Sequence, residues 1–179
     1  GINAELTATN RVGMHRYTFP ESDEAGIVID LLNGGCWDSP VETRIEQVSD
    51  NAVQGYRFSK GWADDQKVYF YAEFSRPFKD LNIHSINYQP YYAKADFDTK
   101  EGEQILMKVA LSPVSIEGAK ANMQAELPGW DFDTVAQEAE KFWNHELGKI
   151  RIETADEDIR KIFYTALYHT MIAPSTFCD

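Results

Sequence analysis

Apolar and polar residues alternate most cleanly between Gln54 and Pro77. Val68, Phe70, Ala72 and Phe74 fall on one face of an extended segment, and Tyr69, Tyr71, Glu73 and Ser75 fall on the other. β-branched and aromatic side chains suit such a pleated, half-buried surface. Val53 to Phe58 reads as a preceding strand, Gly61-Trp62-Ala63-Asp64-Asp65 as the loop of a hairpin, and Pro77 as its stop. The remaining strands are expected to pack around this hairpin. Ile2 to Thr9 alternates in the same way, as do Met14 to Phe19, Glu42 to Val48, Leu81 to Tyr88 and Gln104 to Leu111. Ile27 to Leu32 is apolar on both faces, which predicts a central strand covered on two sides and ended by Asn33-Gly34-Gly35. About eight short strands separated by turn residues predict a mainly β fold, an antiparallel β-sandwich.

The period changes at Ser112-Pro113. Ser115 is placed to cap a helix from Ile116 to Leu127, weakened by Gly118 and broken by Pro128-Gly129. A second helix is predicted from Asp133 as N-cap to Leu147, with Gly148 as the C′ residue. Its Phe142 and Trp143 are expected to cover Tyr69 and Tyr71. Asp156 caps a third helix, whose Ile159, Ile162, Phe163, Ala166, Leu167 and Thr170 share one side and which Pro174 closes. The order divides the chain into a sandwich over 1–111, linker helices over 112–153 and a further helical element over 154–179.

Charge narrows the function classes. A formal net charge of −12 argues against nucleic acid and against an anionic membrane surface. No run of about eighteen apolar residues is present to span a bilayer. The Gly-Ile-Asn-Ala-Glu start has neither a basic n-region nor an apolar h-region, so no signal peptide is expected within this sequence. Cys36 and Cys178 are far apart, and their spacing neither requires nor forbids a disulfide.

Candidate chemistry is sparse. The nucleotide, P-loop, nucleophile-elbow and zincin motifs are missing, and His15, His84, His145 and His169 are scattered. Trp62 fits two roles: a flat indole face for a sugar ring, or a plug for the end of the sandwich, the latter preferred. Asp64-Asp65, Asp96 with Asp98, and Asp156-Glu157-Asp158 read as turn and cap carboxylates. From the residues alone, a binding module, a structural domain and part of an enzyme all remain open.

Several collinear stretches resemble the exo-acting α-mannosidases of glycoside hydrolase family 92. They are Ala4-Glu5-Leu6-Thr7-Ala8-Thr9, Arg11 to Pro20, Gly61-Trp62-Ala63 with Gln66 and Val68-Tyr69-Phe70, Phe74 to Phe78, Val109 to Ser115, and Tyr164 to Pro174. The resemblance implies an N-terminal β-sandwich, a helical linker and an (α/α)6 catalytic barrel, of which Asp156–Ala173 would be the first helix. It further implies calcium-dependent removal of terminal α-linked mannose with inversion, α-1,2-linked by preference, from mannosides, mannans or N-glycans outside the cytoplasm. On this mapping the chain begins inside the sandwich and stops one helix into the barrel. It is then a scaffold portion, inactive alone and with no calcium expected on it, whose partner is the remainder of its own barrel. Phe177-Cys178-Asp179 matches a family Phe-Ser-Asp motif with Cys for Ser. That match implies a sugar contact for Asp179, which as the last residue is expected to be unanchored. The alternative is a free-standing carbohydrate-binding module that uses Trp62.

Overall fold

The computed structural model describes residues 1–33, 37–87, 89–173 and 178–179. The turn at 34–35, Cys36, the strand end at Tyr88, the stop at Pro174 and Phe177 lie outside the described residues. Among the described residues nine strands precede three helices. The strands are β1 (Asn3–Ala8), β2 (Val12–Phe19), β3 (Ser22–Asp30), β4 (Ser39–Gln47), β5 (Ala52–Lys60), β6 (Gln66–Phe74), β7 (Asp80–Ile86), β8 (Gln89–Thr99) and β9 (Glu103–Ser112). The helices are α1 (Ile116–Glu126), α2 (Phe132–Leu147) and α3 (Glu157–Met171).

Two antiparallel sheets face each other, a six-stranded one in the order β1-β2-β9-β6-β5-β4 and a three-stranded one in the order β3-β8-β7. The β5–β6 hairpin is central as expected, with Gly55 opposite Phe70. A Cβ on Gly55 would lie 1.8 Å from the Arg44 carbonyl oxygen, so only glycine lets β4 approach here. The alternation along β6 is realised directly: Phe70, Ala72 and Phe74 enter the core between the sheets, beside Ile105 and Met107 of β9 and facing Phe97 of β8. Tyr71 points the other way, into a second core on the outer face of the six-stranded sheet. It meets Val12, Met14, Ala52, Ala110, Ala119 and Met123 there.

Several expectations are corrected. Gln89–Thr99 forms a long strand that the pattern did not announce, with Ala93, Ala95, Phe97 and Thr99 buried on alternate positions. It takes the central place assigned to Ile27–Leu32. β3 lies at the edge of its sheet with Val28 56% exposed, so one of its two apolar faces is open. β4 begins at Ser39 rather than Glu42, through a register shift between Pro40 and Glu42. Tyr71 is covered by α1, not by Phe142 and Trp143 of α2, because the Ser112–Ser115 turn folds α1 straight back over the sheet. Tyr69 packs against Tyr56 and Phe58 instead, with ring centroids 5.9 and 5.4 Å away.

Helix ends obey local chemistry. Ser115 caps α1 by accepting the Gly118 N–H, and Asp156 caps α3 by accepting those of Asp158 and Ile159. Asp131, not Asp133, caps α2, accepting from Thr134 and releasing Phe132 into the second core. Gly148 ends α2 as its C-cap in a right-handed conformation (φ −72°), so the left-handed C′ role is not used. α3 shares one side of apolar residues, yet none of its described residues is buried, and Ile159 and Ile162 stand exposed. Among the described residues no helix is long and apolar enough to cross a membrane.

Candidate functional site

The site is assembled where the first hairpin turn, the end of β9 and the start of α1 converge. Thr9 closes the β1–β2 turn by donating its amide to Val12 O at 2.9 Å. This geometry aims Arg11, two residues further on, at the last residue of α1. Its guanidinium Nη1 donates to Glu126 Oε1 at 2.8 Å, while its amide and the Thr9 hydroxyl reach Glu126 Oε2 at 2.9 and 2.6 Å. On its other edge, Arg11 Nε donates to the Cys178 carbonyl at 2.8 Å. The returning chain end is thereby tied to the sandwich. Ala8 to Gly13, Val68, Leu111 to Pro113 and Cys178 line an adjoining cavity of about 330 Å³.

Asp179 sits at the wall of this junction. Its Oδ2 accepts from Ser112 Oγ at 2.8 Å, and its Oδ1 accepts from Asn122 Nδ2 at 3.0 Å. The expectation of an unanchored terminal aspartate is corrected: buried Ser112 and Asn122 hold it. A second, larger cavity of about 600 Å³ lies on the far side of the same turn, between Asn10, Glu138, Phe142, Trp143 and Tyr168. Trp143 meets Tyr168 edge to face at 4.7 Å, which is where α2 touches α3.

Glu126 carries the electrostatics. Burial pushes its carboxyl up, but hydrogen bonds from Thr9 and from the Arg11 amide and guanidinium outweigh this and leave it below the usual value of 4.5. A carboxylate depressed by folding contributes stability that is complete above about pH 4.5 and lost as pH falls through its lower folded value. Glu126→Gln should therefore cost about 1–2 kcal/mol at pH 7 and less at pH 3, below the usual value of 4.5. Urea titrations at the two pH values check this, and an equal loss at both would show that the charge is not what matters.

The other sequence candidates are placed elsewhere. Trp62 is 93% exposed at the tip of the β5–β6 hairpin, so it does not plug the sandwich. Arg57 occupies the opening between the sheets, donating to Leu31 O at 2.8 Å and pairing with Asp38. The carboxylate pairs are engaged singly: Asp64 with Lys60, Asp65 with Lys67, Asp96 with Lys94, Asp98 with Lys79. His15 meets Tyr17 Oη at 2.7 Å, and burial lowers its pKa, as suits a neutral structural ring. Among the described residues no three His, Cys, Asp or Glu side chains converge to hold a metal ion. Sequence reasoning missed Ser112, Asn122 and the Arg11–Glu126 pair. A glycine inside the first turn of α1 was the visible signal.

Comparison with known proteins gives the wider context. The glycosyl hydrolase family 92 N-terminal domain matches residues 1–112, and the catalytic domain of the same family matches residues 118–179. Among solved structures, the family GH92 α-mannosidase BT3965 from Bacteroides thetaiotaomicron is 36% identical over 100% of this chain, with a TM-score of 0.92, and 26% of that chain is covered. The GH92 inverting mannosidase BT2199 from B. thetaiotaomicron VPI-5482 is 25% identical over 98% of this chain and 25% of its own, with a TM-score of 0.84. An uncharacterized secreted glycosidase of Arthroderma benhamiae is 24% identical over 99% of this chain and 27% of its own length. The chain thus spans about a quarter of the relatives it matches. With sheets, linker and both domain matches running in one order, the chain belongs to glycosyl hydrolase family 92.

Proposed function

We propose that this chain is the scaffold portion of a longer, extracytoplasmic glycoside hydrolase that removes terminal α-1,2-linked mannose with inversion. The observation that carries the reading is the end-to-end likeness to BT3965, an α-mannosidase also solved in complex with mannoimidazole, with which this chain shares 36% identity and a TM-score of 0.91. BT2199, an inverting mannosidase, supports the stereochemistry, and the secreted A. benhamiae relative supports the location. Inversion requires a carboxylic acid that protonates the leaving oxygen and a carboxylate that activates water, about 6.5–9.5 Å apart. The paired carboxylates read from the sequence are occupied in ion pairs and caps, and Glu126 is committed to Arg11, so the acid and base are assigned to the rest of the enzyme. Calcium, an oxygen-seeking cation, would help hold sugar hydroxyls when bound. The described residues do not form such a site between them, and its ligands too are assigned elsewhere.

This chain's own contribution is positional. Asp179 accepts hydroxyl hydrogens of the terminal sugar from its held carboxylate. The exposed end of the sandwich and the apolar side of α3 receive the remaining helices of the barrel. Incubated with p-nitrophenyl α-mannoside or α-1,2-mannobiose, the 179-residue chain should release no product. Sustained hydrolysis by it would place the machinery within these residues and overturn the assignment.

Full exposure of Trp62 favours a second reading, a carbohydrate-binding role for the β5–β6 tip, since an indole 93% open to solvent offers its whole face to a sugar. Calorimetric titration with mannose oligosaccharides separates the two. The scaffold reading expects no heat of binding, whereas the binding reading expects affinity that Trp62→Ala abolishes.

A further inference from the structure

Gly118 weakens the first turn of α1, yet alanine does not fit in its place. An added Cβ would stand 2.3 Å from Asp179 Oδ2 and 2.8 Å from Ser112 Oγ. The Asp179 carboxylate occupies the space that a side chain on α1 would fill. Hydrogen-bond polarity around it is fixed. Ser112 Oγ accepts the amide N–H groups of Val114 and Ser115 at 2.9 and 3.2 Å, which leaves its own hydrogen for Asp179. Asn122 Nδ2 divides its hydrogens between Leu111 O and Asp179 Oδ1, each at 3.0 Å. The backbone is pinned separately, through the bond from Arg11 to the Cys178 carbonyl.

We infer that Ser112, Gly118 and Asn122 form a seat that positions the Asp179 carboxylate toward a ligand's hydroxyl groups without neutralising it. Both donors are uncharged, and Arg11, the nearby cation, is committed to Glu126 and to the Cys178 carbonyl. A carboxylate offers about four lone-pair sites. The seat fills one on each oxygen and leaves the others open. Polyol hydroxyls, which donate hydrogens and carry no charge, are the chemistry that such a half-satisfied carboxylate takes. The inference rests on the reading of Asp179 as a sugar contact and adds to it the three residues that hold it in place.

The test is a thermal-unfolding cycle on the chain followed by kinetics on the longer glycosidase. Gly118→Ala should lower Tm in the wild-type background. In a Ser112→Ala/Asp179→Ala background, where both obstructing groups are gone, the same change should leave Tm unchanged or raise it, because alanine is the better helix former. A Gly118→Ala effect of the same sign and size in both backgrounds would overturn the seat. In the longer enzyme, Ser112→Ala should lower kcat/KM on a terminal α-mannoside by about 100-fold, as a displaced positioning group does. Asp179→Ala should lower it at least as far, while the Ser112→Ala/Asp179→Ala double variant should lose no more than Asp179→Ala alone. A thermal cycle that couples as expected, with mannoside kinetics unchanged in every variant, would sink the sugar-contact reading and with it the positioning role.

Discussion

Phe74→Ala is expected to cost about 3–5 kcal/mol, the largest loss of any single substitution in the sandwich. Its ring is fully buried on β6, and it meets Phe97 and Phe78 at centroid distances of 5.7 and 6.0 Å. The loss combines the transfer of a large apolar side chain, the cavity left between two sheets that relax only in part, and two aromatic contacts of about 0.5–1.5 kcal/mol each. Domains of this size are stable by only about 5–15 kcal/mol, so the variant should sit close to unfolding at room temperature. Urea denaturation should show a lower midpoint with an unchanged m-value. Trp62→Ala, at an exposed tip, should stay within about 0.5 kcal/mol of wild type. A Phe74→Ala loss below about 1 kcal/mol would mean that the sheets do not close over this ring.

The second large effect concerns Lys108. Its ammonium lies on the outer face of β9, 2% exposed, beneath the turn that joins α1 to α2. It sits 3.2 Å from Glu73 Oε2 and 3.3 Å from the Leu127 carbonyl, and it lies over the Trp130 ring at 4.1 Å. Glu73 faces it directly across the β6–β9 ladder. Removing one member of a buried pair strands the other charge. Glu73→Ala should therefore cost about 2–3 kcal/mol. That is less than the roughly 3–5 kcal/mol of a fully enclosed pair, because Glu73 keeps 31% of its side chain in water and screening weakens the attraction. Lys108→Met should instead cost less, within about 1 kcal/mol, since its stem already packs among apolar groups and the Glu73 carboxylate left behind keeps 31% of its side chain in water. Chemical denaturation of the two variants side by side checks the contrast. Equal losses would show that lost packing, not a stranded charge, is responsible.

Much of this architecture is written in local patterns. The alternation of β6 and the residues of the β5–β6 turn specify the central hairpin, and Ser115 and Asp156 mark two helix starts by their own side-chain oxygens. β8 escaped because its buried positions are Ala93, Ala95, Phe97 and Thr99, with alanines where β-branched residues usually signal a strand. Pro90 and the charged Lys94, Asp96 and Asp98 add to the disguise. Its burial comes from neighbours on both edges, which no window along the sequence contains. β3 misled for the converse reason: its open edge and exposed Val28 present apolar surface that local composition reads as a strand interior.

The junction was legible only in fragments. Arg11 and Cys178 lie 167 residues apart, and they join Ser112, Asn122 and Asp179 through tertiary folding alone. Gly118 was visible as a helix weakener, but its purpose is to leave room for a carboxylate from the other end of the chain, which a Cβ here would approach to 2.3 Å. The choice of α1 over α2 as cover for Tyr71 depended on a turn angle at Ser112–Ser115, where Ser112 Oγ binds two successive amides. Family likeness supplied what these residues could not, namely the expectation that a carboxylate at position 179 has something to touch.

The central claim is best tested by following the anomeric protons by NMR while the longer protein containing this chain hydrolyses a terminal α-mannoside. The account predicts that β-mannose appears first, before mutarotation, and that a calcium chelator stops its release. First appearance of α-mannose, or no release of mannose at all, would contradict it.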